Sequence, residues 1–407
     1  MNITLQKSKI AKESIIKITG SKSESNRLLL LQALYPNIEI SNVSNSDDSK
    51  LMQKALSSDS NTIDIHHAGT AMRFLSAYFS LQEGKEVTLT GSSRMQERPI
   101  KILVDALRDL GANISYVKSE DFPPLKIKGE VLNKSQVSLA ANVSSQYISA
   151  LLLIAPRLKS GLELTLQGEI TSVPYIKMTL NLLEQIGVTA SFIDNIITVE
   201  PLSKVAHKKL IVESDWSSVS YFYSIVALSD VGTKIELSSY KEHSLQGDSV
   251  LSTIYKDFGV ETSFNKTSIT LTKLDNQQKQ VSYNLTNAPD IAQTIAVTCL
   301  GLEISCHLTG LHTLKIKETD RLVALKTEIE KFGTQVIISN DSLTIQKINP
   351  LKENVDVATY HDHRMAMAFA PLALRVGFNI LEADVVTKSY PDFWNDLKSI
   401  GFSFTEF

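Results

Sequence analysis

Seven stretches of the chain open on a short polar or charged cluster and continue as a strongly apolar run. They are SKSESNRLLLLQAL from Ser21, HAGTAMRFLSAYF from His67, SSQYISALLLIAP from Ser144, DWSSVSYFYSIVAL from Asp215, DIAQTIAVTCLGL from Asp290, KETDRLVALKTEI from Lys317 and DHRMAMAFAPLAL from Asp362. A helix apolar around most of its circumference is buried, so each carries its polar head toward the interior or an interface. A helix N-terminus presents unpaired N–H groups and about half a positive charge. Several such ends brought together make an anion site. For any one segment, Ser or Asp at the start is explained by N-capping alone.

Capping does not account for the charges that follow. With Lys317 at zero and ~100° per residue, Leu322, Leu325, Ile329 and Phe332 fall at about 140°, 80°, 120° and 60°. Glu318 falls near 100° and Arg321 near 40°, which predicts both inside the apolar stripe, unless the helix starts after Glu318 and loosens its angle. Buried charge is costly unless paired or bound to a ligand. Asp320 projects away, as a cap or a partner for a cation.

A second pattern is longer. LRDLGANIS, LEQIGVTAS, YKDFGVETS, IEKFGTQVI and LKSIGFSFT each pass from a helix end through an apolar residue into glycine and then a strand-like run. Gly111, Gly187, Gly259, Gly333 and Gly401 are spaced by 76, 72, 74 and 68 residues. Glycine just past a helix suits the left-handed terminator. VETSF–NK–TSITL and QVIIS–ND–SLTIQ then read as hairpins. LMQKALSSDS, near Leu56, reads as a sixth copy without its glycine. Six units of roughly 70 residues are too long for common solenoids and predict two globular domains.

At 407 residues, ~150 per domain gives two or three domains. The formal net charge of −3 argues against nucleic-acid coating, so any cationic site is local. Cys299 and Cys306, both in apolar surroundings, offer no disulfide framework and fit a reducing compartment. The opening MNITLQKSKI lacks the plan of a signal peptide, and no uncharged apolar run reaches ~18 residues. A cytoplasmic location is expected, with no membrane partner. Lys22, Arg27, Arg73, Arg94, Arg98, Arg364 and Lys388, taken with the helix ends, suit a multiply anionic substrate. No nucleotide-binding glycine loop is present. His361 and His363 could ligate a metal, but a histidine at a helix head beside Asp362 suits a phosphate or charge network better, and no metal is expected.

GSKSESNR, AGTAMR, LTGSSRMQERPI, SSQYISALLL, VPYIKMTLNLL, ESDWSSVSYF, APDIAQT, KIKETDRL, YHDHRMAMAFA and TKSYPDFW, in this order, resemble the 5-enolpyruvylshikimate-3-phosphate synthases over nearly the whole chain. KETDRL with DHRMAMAF is the most specific pair. The resemblance implies an α/β, two-domain enolpyruvyl transferase fold (an inside-out α/β barrel), each domain of three βαβαββ units. The upper domain would span 21–213 and the lower 1–20 with 214–407, with the active site in the cleft between them.

The implied reaction moves the enolpyruvyl group of phosphoenolpyruvate to the 5-hydroxyl of shikimate 3-phosphate and releases phosphate. Also on the resemblance, shikimate 3-phosphate is held by Lys22, Ser23, Arg27, Ser144, Ser145, Gln146, Ser172, Tyr175, Asp290, Thr313 and Lys317. Phosphoenolpyruvate is held by Lys22, Gly69, Arg98, Gln146, Arg321, His363, Arg364 and Lys388. Asp290 takes the 5-hydroxyl proton, Glu318 handles the methylene proton, and Lys22 completes the catalytic set. No cofactor, nucleic acid or further subunit is implied. The chain departs from the family at His67, for a usual Asn, at Phe74, for Pro or Leu, and at Thr313, for a frequent Asn. Two alternatives are a UDP-N-acetylglucosamine enolpyruvyl transferase, which generally carries a reactive loop cysteine, and a non-catalytic anion-binding relative.

Overall fold

The computed structural model describes residues 1–140, 144–170, 172–275, 278–346 and 349–407. The chain forms two compact units, one of Met1–Thr19 with Glu213–Phe407 and one of Gly20–Val212. One sheet design recurs in both. A first strand lies parallel to a second, the second is antiparallel to a fourth, and the third covers the far edge of the fourth.

In the unit Gly20–Val212 this gives Thr62–Asp64, Glu86–Thr90, Leu125–Lys128 and Asn113–Tyr116 across one sheet. Gln136–Ala140, Leu162–Gln167, Ile196–Val199 and Ala190–Ile193 form the next. In the other unit the same order runs Glu13–Ile16, Lys234–Ser238, Ser268–Lys273 and Val260–Phe264. It recurs as Gln280–Asn284, Ser305–Thr309, Leu343–Ile345 and Val336–Ile338. Both predicted hairpins are present, with Phe264 opposite Ile269 and Ile338 opposite Leu343.

The remaining sheets are closed by strands from far along the chain. Ile3–Leu5 lies between Phe378–Ile380 and Phe404–Glu406, with Asp356–Val357 beyond. Lys208–Ile211 pairs in parallel with Ile38–Ser41. After Ile38–Ser41, helix Asp47–Leu56 leads straight to strand Thr62–Asp64. The copy near Leu56 has therefore lost its hairpin as well as its glycine.

All five repeat glycines take positive φ: 109° at Gly111, 96° at Gly187, 73° at Gly259, 96° at Gly333 and 118° at Gly401. A Cβ at Gly187 would meet nothing within 4 Å, so backbone conformation rather than crowding selects glycine there.

Each unit is built around three buried helices, one per repeat. They are Lys22–Leu34, Gly69–Ser80 and Ser145–Ile154 in one unit, and Trp216–Ala227, Ala292–Leu302 and His363–Phe369 in the other. Every residue of Gly69–Ser80 and of Ala292–Leu302 is buried. Hydroxyls inside this apolar packing bond across it: Ser220 Oγ lies 3.0 Å from Thr294 Oγ1, and Thr298 Oγ1 donates to Ser224 Oγ at 2.8 Å. Both pairs advance by four residues on each helix, so the two helices run parallel and their N-termini share one end. Among the described residues, no helix is long and apolar enough to cross a membrane.

The KETDRL segment differs from its prediction. Its helix is Arg321–Lys331, and Asp320 is the N-cap, accepting from the N–H groups of Leu322 and Val323 at 3.2 Å each. Lys317 instead follows the 3₁₀ turn His312–Ile316. A good cap three residues downstream outcompetes extension of the helix back to Lys317. Arg321 is buried as predicted, but Glu318 reaches its position from an irregular segment, not from the helical stripe.

Candidate active site

In the unit Gly20–Val212, Ser21 caps the helix that carries Lys22, Ser23 and Arg27. Lys22 Nζ lies 3.5 Å from Asp48 Oδ2, both side chains being mostly buried. Arg27 is enclosed. Its Nε donates to Thr179 Oγ1 at 2.7 Å, Nη1 to Ser23 O at 2.8 Å, and Nη2 to Ser149 Oγ at 2.9 Å and Tyr175 O at 3.5 Å. Its guanidinium also lies over Phe74, 5.4 Å from the ring centre, and over Tyr175 at 5.9 Å. Burial pulls its pKa down to about 10, so it stays charged at neutral pH.

Ser144 caps helix Ser145–Ile154 through the N–H of Gln146. The Gln146 amide donates to Thr70 Oγ1 at 3.3 Å, linking the first turns of two buried helices. Ser172, at φ 54°, opens helix Val173–Gln185, which carries Tyr175. Arg98 packs so closely on Gly69 that a Cβ there would sit 2.7 Å from Nη1. Among the described residues, no hydrogen bond or ion pair engages the Arg98 guanidinium.

Two of the sequence candidates serve other purposes. Arg73 is buried and donates to the backbone oxygens of Gly69 and Pro99 at 3.2 and 3.3 Å, a structural tie. Arg94 is exposed and pairs with Glu97 at 3.1 Å. His67, also exposed, meets Ser92 Oγ through Nδ1 at 2.8 Å.

The other unit carries a dense charge network. Arg321, with 2% of its side chain exposed, donates from Nε to Asp362 Oδ2 at 2.7 Å, from Nη1 to Asp290 Oδ1 at 2.8 Å and from Nη2 to Glu318 Oε2 at 2.9 Å. Lys388 Nζ donates to the other oxygen of Glu318 at 2.8 Å. Lys317 Nζ stands 3.6 Å from Asp290 Oδ1. Arg364 donates to Asp290 O at 3.1 Å, to its Oδ2 at 3.3 Å and to Ser217 Oγ at 3.2 Å. Burial opposes ionisation of Asp290, but Arg364, Lys317 and Arg321 together outweigh it and hold the carboxyl well below its ordinary range. Burial likewise opposes charge on Arg321, and Asp362, Glu318 and Asp290 overcome it, raising its pKa.

The structure thus joins Asp290, Lys317, Glu318, Arg321, Arg364 and Lys388. Thr313 makes no hydrogen bond to that network; it sits on the 3₁₀ turn His312–Ile316 with its hydroxyl oxygen buried and without a hydrogen-bond partner among the described residues. His363 is buried, with Nδ1 3.8 Å from Asp362 Oδ1. His361 is 82% exposed and pairs with Glu382, so the two histidines do not converge. Among the described residues, no three His, Cys, Asp or Glu side chains group to hold a metal ion. Both cysteines are buried.

Sequence reasoning missed Asp48, Thr70, Ser217 and Asp248. Asp362, expected as a capped helix head, is the N-cap of helix His363–Phe369 and accepts from the N–H of Arg364. Asp48 and Asp248 reach their partners only through tertiary packing, and no local pattern marks them.

The family model described as EPSP synthase (3-phosphoshikimate 1-carboxyvinyltransferase) matches residues 53–397 of this chain. A 3-phosphoshikimate 1-carboxyvinyltransferase of Bacteroides fragilis is 47% identical over 395 residues, covering 96% of each chain. One from Shewanella pealeana is 35% identical over 415 residues, covering 95% of this chain and 96% of that protein. Among solved structures, EPSP synthase from Acinetobacter baumannii matches with a TM-score of 0.83 at 19% identity over all of both chains. The enolpyruvyl transferase NikO from Streptomyces tendae matches at 0.76 and 13% identity, covering 99% of this chain and 98% of that one. The fold is that of the enolpyruvyl transferases, and the chain belongs to the EPSP synthase (3-phosphoshikimate 1-carboxyvinyltransferase) family.

Proposed function

We propose that this enzyme transfers the enolpyruvyl group of phosphoenolpyruvate to the 5-hydroxyl of shikimate 3-phosphate through the residues named above, working in the cytoplasm as a monomer. The observation that carries the site assignment is that one buried guanidinium, Arg321, holds two different carboxylates, Asp290 and Glu318.

The addition step needs a base at the attacking hydroxyl and an acid at the methylene carbon, which becomes a methyl group as C2 is attacked. The tetrahedral adduct then loses phosphate and returns a methyl proton. Asp290 and Glu318 take these two roles. Asp290 is a weak base while three cations surround it. Substrate carboxylate and phosphate groups that draw Arg321, Arg364 and Lys317 toward themselves raise its proton affinity when the hydroxyl arrives. Arg98, unengaged by any carboxylate among the described residues, and Lys22 supply charge to the phosphoenolpyruvate. Ser23, Arg27, Ser144, Ser145, Ser172, Tyr175, Thr313 and Lys317 hold the shikimate 3-phosphate, Gln146 serves both substrates, and Gly69 and His363 complete the phosphoenolpyruvate set.

Phosphate release measured with phosphoenolpyruvate plus shikimate 3-phosphate, beside phosphoenolpyruvate plus UDP-N-acetylglucosamine, tests the reading. Release is expected only with the first pair. Release only with the UDP-sugar, or with neither, refutes it.

A further inference from the structure

Asp248 lies outside every residue set assigned so far, yet its surroundings are built with care. It sits in the 3₁₀ turn Gly247–Val250, 3% exposed. The loop before it is fastened to the start of helix Trp216–Ala227. Gln246 accepts from Trp216 N at 2.9 Å and donates to Ser214 O at 2.9 Å, while Ser244 Oγ donates to Glu213 Oε2 at 2.7 Å. Asp248 Oδ2 accepts a short hydrogen bond from Ser217 Oγ, and its Oδ1 is buried with no partner among the described residues. Ser217 Oγ in turn accepts from Arg364 Nη2, which also reaches Asp290 Oδ2. The order is therefore Asp248, Ser217, Arg364, Asp290.

Arg364 donates to two oxygens of Asp290 and to Ser217 Oγ, so the hydroxyl is one of the groups that set where the guanidinium rests. A hydroxyl has one hydrogen, and donating it to Asp248 leaves only lone pairs for Arg364. Without Asp248, Lys317, Arg321, Arg364 and Lys388 outnumber Asp290, Glu318 and Asp362.

The geometry points to Asp248 as a positioning residue that, through Ser217, fixes Arg364 on the Asp290 carboxylate and at the phosphoenolpyruvate. This rests on the assignment of Arg364 and Asp290 made above. The charged groups that face Asp248 are Asp290, Arg364 and Asp215. Burial, then Asp290, push its carboxyl up to about 6, against the opposing pull of Arg364. A raised carboxyl favours the folded state when protonated, so that stabilisation is present below ~3.9 and is lost as pH rises through about 6. At neutral pH the chain holds an ionised, half-satisfied carboxylate whose benefit lies in ordering Arg364.

Asp248→Asn keeps the shape and an acceptor for Ser217 but removes the charge. Expected are a fall in kcat/KM for phosphoenolpyruvate of about tenfold at neutral pH with KM for shikimate 3-phosphate within about twofold. The acid limb of the pH profile near 6 should disappear, and the variant should unfold at the same or a higher temperature than the parent at pH 7. Ser217→Ala should show the same substrate-selective loss, and Ser217→Thr, which keeps the hydroxyl, should restore activity. Parental kinetics and pH profile in Asp248→Asn overturn the inference. So does a joint loss of activity and thermal stability without rescue by Ser217→Thr, which marks a merely structural residue. A parent enzyme inactive with shikimate 3-phosphate instead sinks the proposed function, while the pH dependence of the unfolding temperature still reports whether Asp248 is a strained carboxylate.

Discussion

Arg27, in the unit Gly20–Val212, gives its hydrogen bonds to two hydroxyls and two backbone oxygens, whereas Arg321, in the other unit, gives its own to three carboxylates. Both are buried arginines, Arg27 in the second turn of the buried helix Lys22–Leu34 and Arg321 at the first residue of the partly exposed helix Arg321–Lys331. Neutral partners orient a guanidinium without cancelling its charge, which leaves Arg27 able to attract an anion. Carboxylate partners cancel the charge and leave a network whose protons can be redistributed when a substrate anion competes for the cation. Under the function proposed above, duplicated architecture supports two chemistries, holding in one unit and proton transfer in the other. Lys22 beside Asp48 is the exception in the holding unit, and it is the one residue there assigned a catalytic part.

The sharpest way to break this contrast is Asp290→Asn. It should lower kcat by roughly a thousandfold, as expected for loss of a general base, while titration calorimetry still detects shikimate 3-phosphate binding. Near-parental turnover would remove the proton-transfer half of the comparison. Next in size, Arg321→Met leaves three buried carboxylates without their shared cation and should destabilise the fold by about 3–5 kcal/mol. Arg27→Met, which strands only hydroxyls and carbonyls, should cost about 1–3 kcal/mol while weakening shikimate 3-phosphate binding. Denaturant titrations of both variants measure the difference, and equal losses would erase the distinction.

Gly69→Ala probes the holding unit more gently. The new Cβ would meet Arg98 Nη1 at 2.7 Å, and a flexible arginine can swing away. Stability should change by less than about 1 kcal/mol, while the KM for phosphoenolpyruvate rises. An unchanged KM would mean that Arg98 does not work from this position. The smallest effect concerns acid. Because Asp290 is held below its ordinary range, its contribution to stability is present above ~3.9 and is lost as pH falls further. The unfolding temperature of the parent should therefore drop more steeply below pH 4 than that of Asp290→Asn.

Much of this was readable before any coordinates. The five glycines past helix ends and the two hairpins rest on local rules and reappear with positive φ and paired registers; the heads at Ser21, Ser144, Asp215 and Asp362 reappear with N-cap bonds, while the helices after His67 and Asp290 begin without a side-chain cap. Arg321 was legible as a buried charge because it sits on an apolar helical face. For Glu318 the later of the two helix starts is the one found, with Asp320 as cap, so its helical angle does not apply. Asp48, Ser217 and Asp248 gave no sign, because their partners lie across the fold at separations that no periodicity encodes. The same holds for the strands that close the sheets. Nothing in ITL announces that Ile3–Leu5 pairs with Phe378–Ile380 and Phe404–Glu406.

That last pairing has a consequence for how the molecule is born. Domains tend to fold as they leave the ribosome, the earlier-made ones first. Gly20–Val212 contains all its own sheet partners and can complete itself midway through translation. The unit that carries Asp290, Glu318 and Arg321 must wait, its opening strand kept idle until Phe378–Ile380 has been made and its far edge open until Phe404–Glu406 follows. A nascent chain therefore completes the unit that carries Lys22, Arg27 and Arg98 well before the charge network around Arg321 can close, and a ribosome that stalls near the end releases the first without the second.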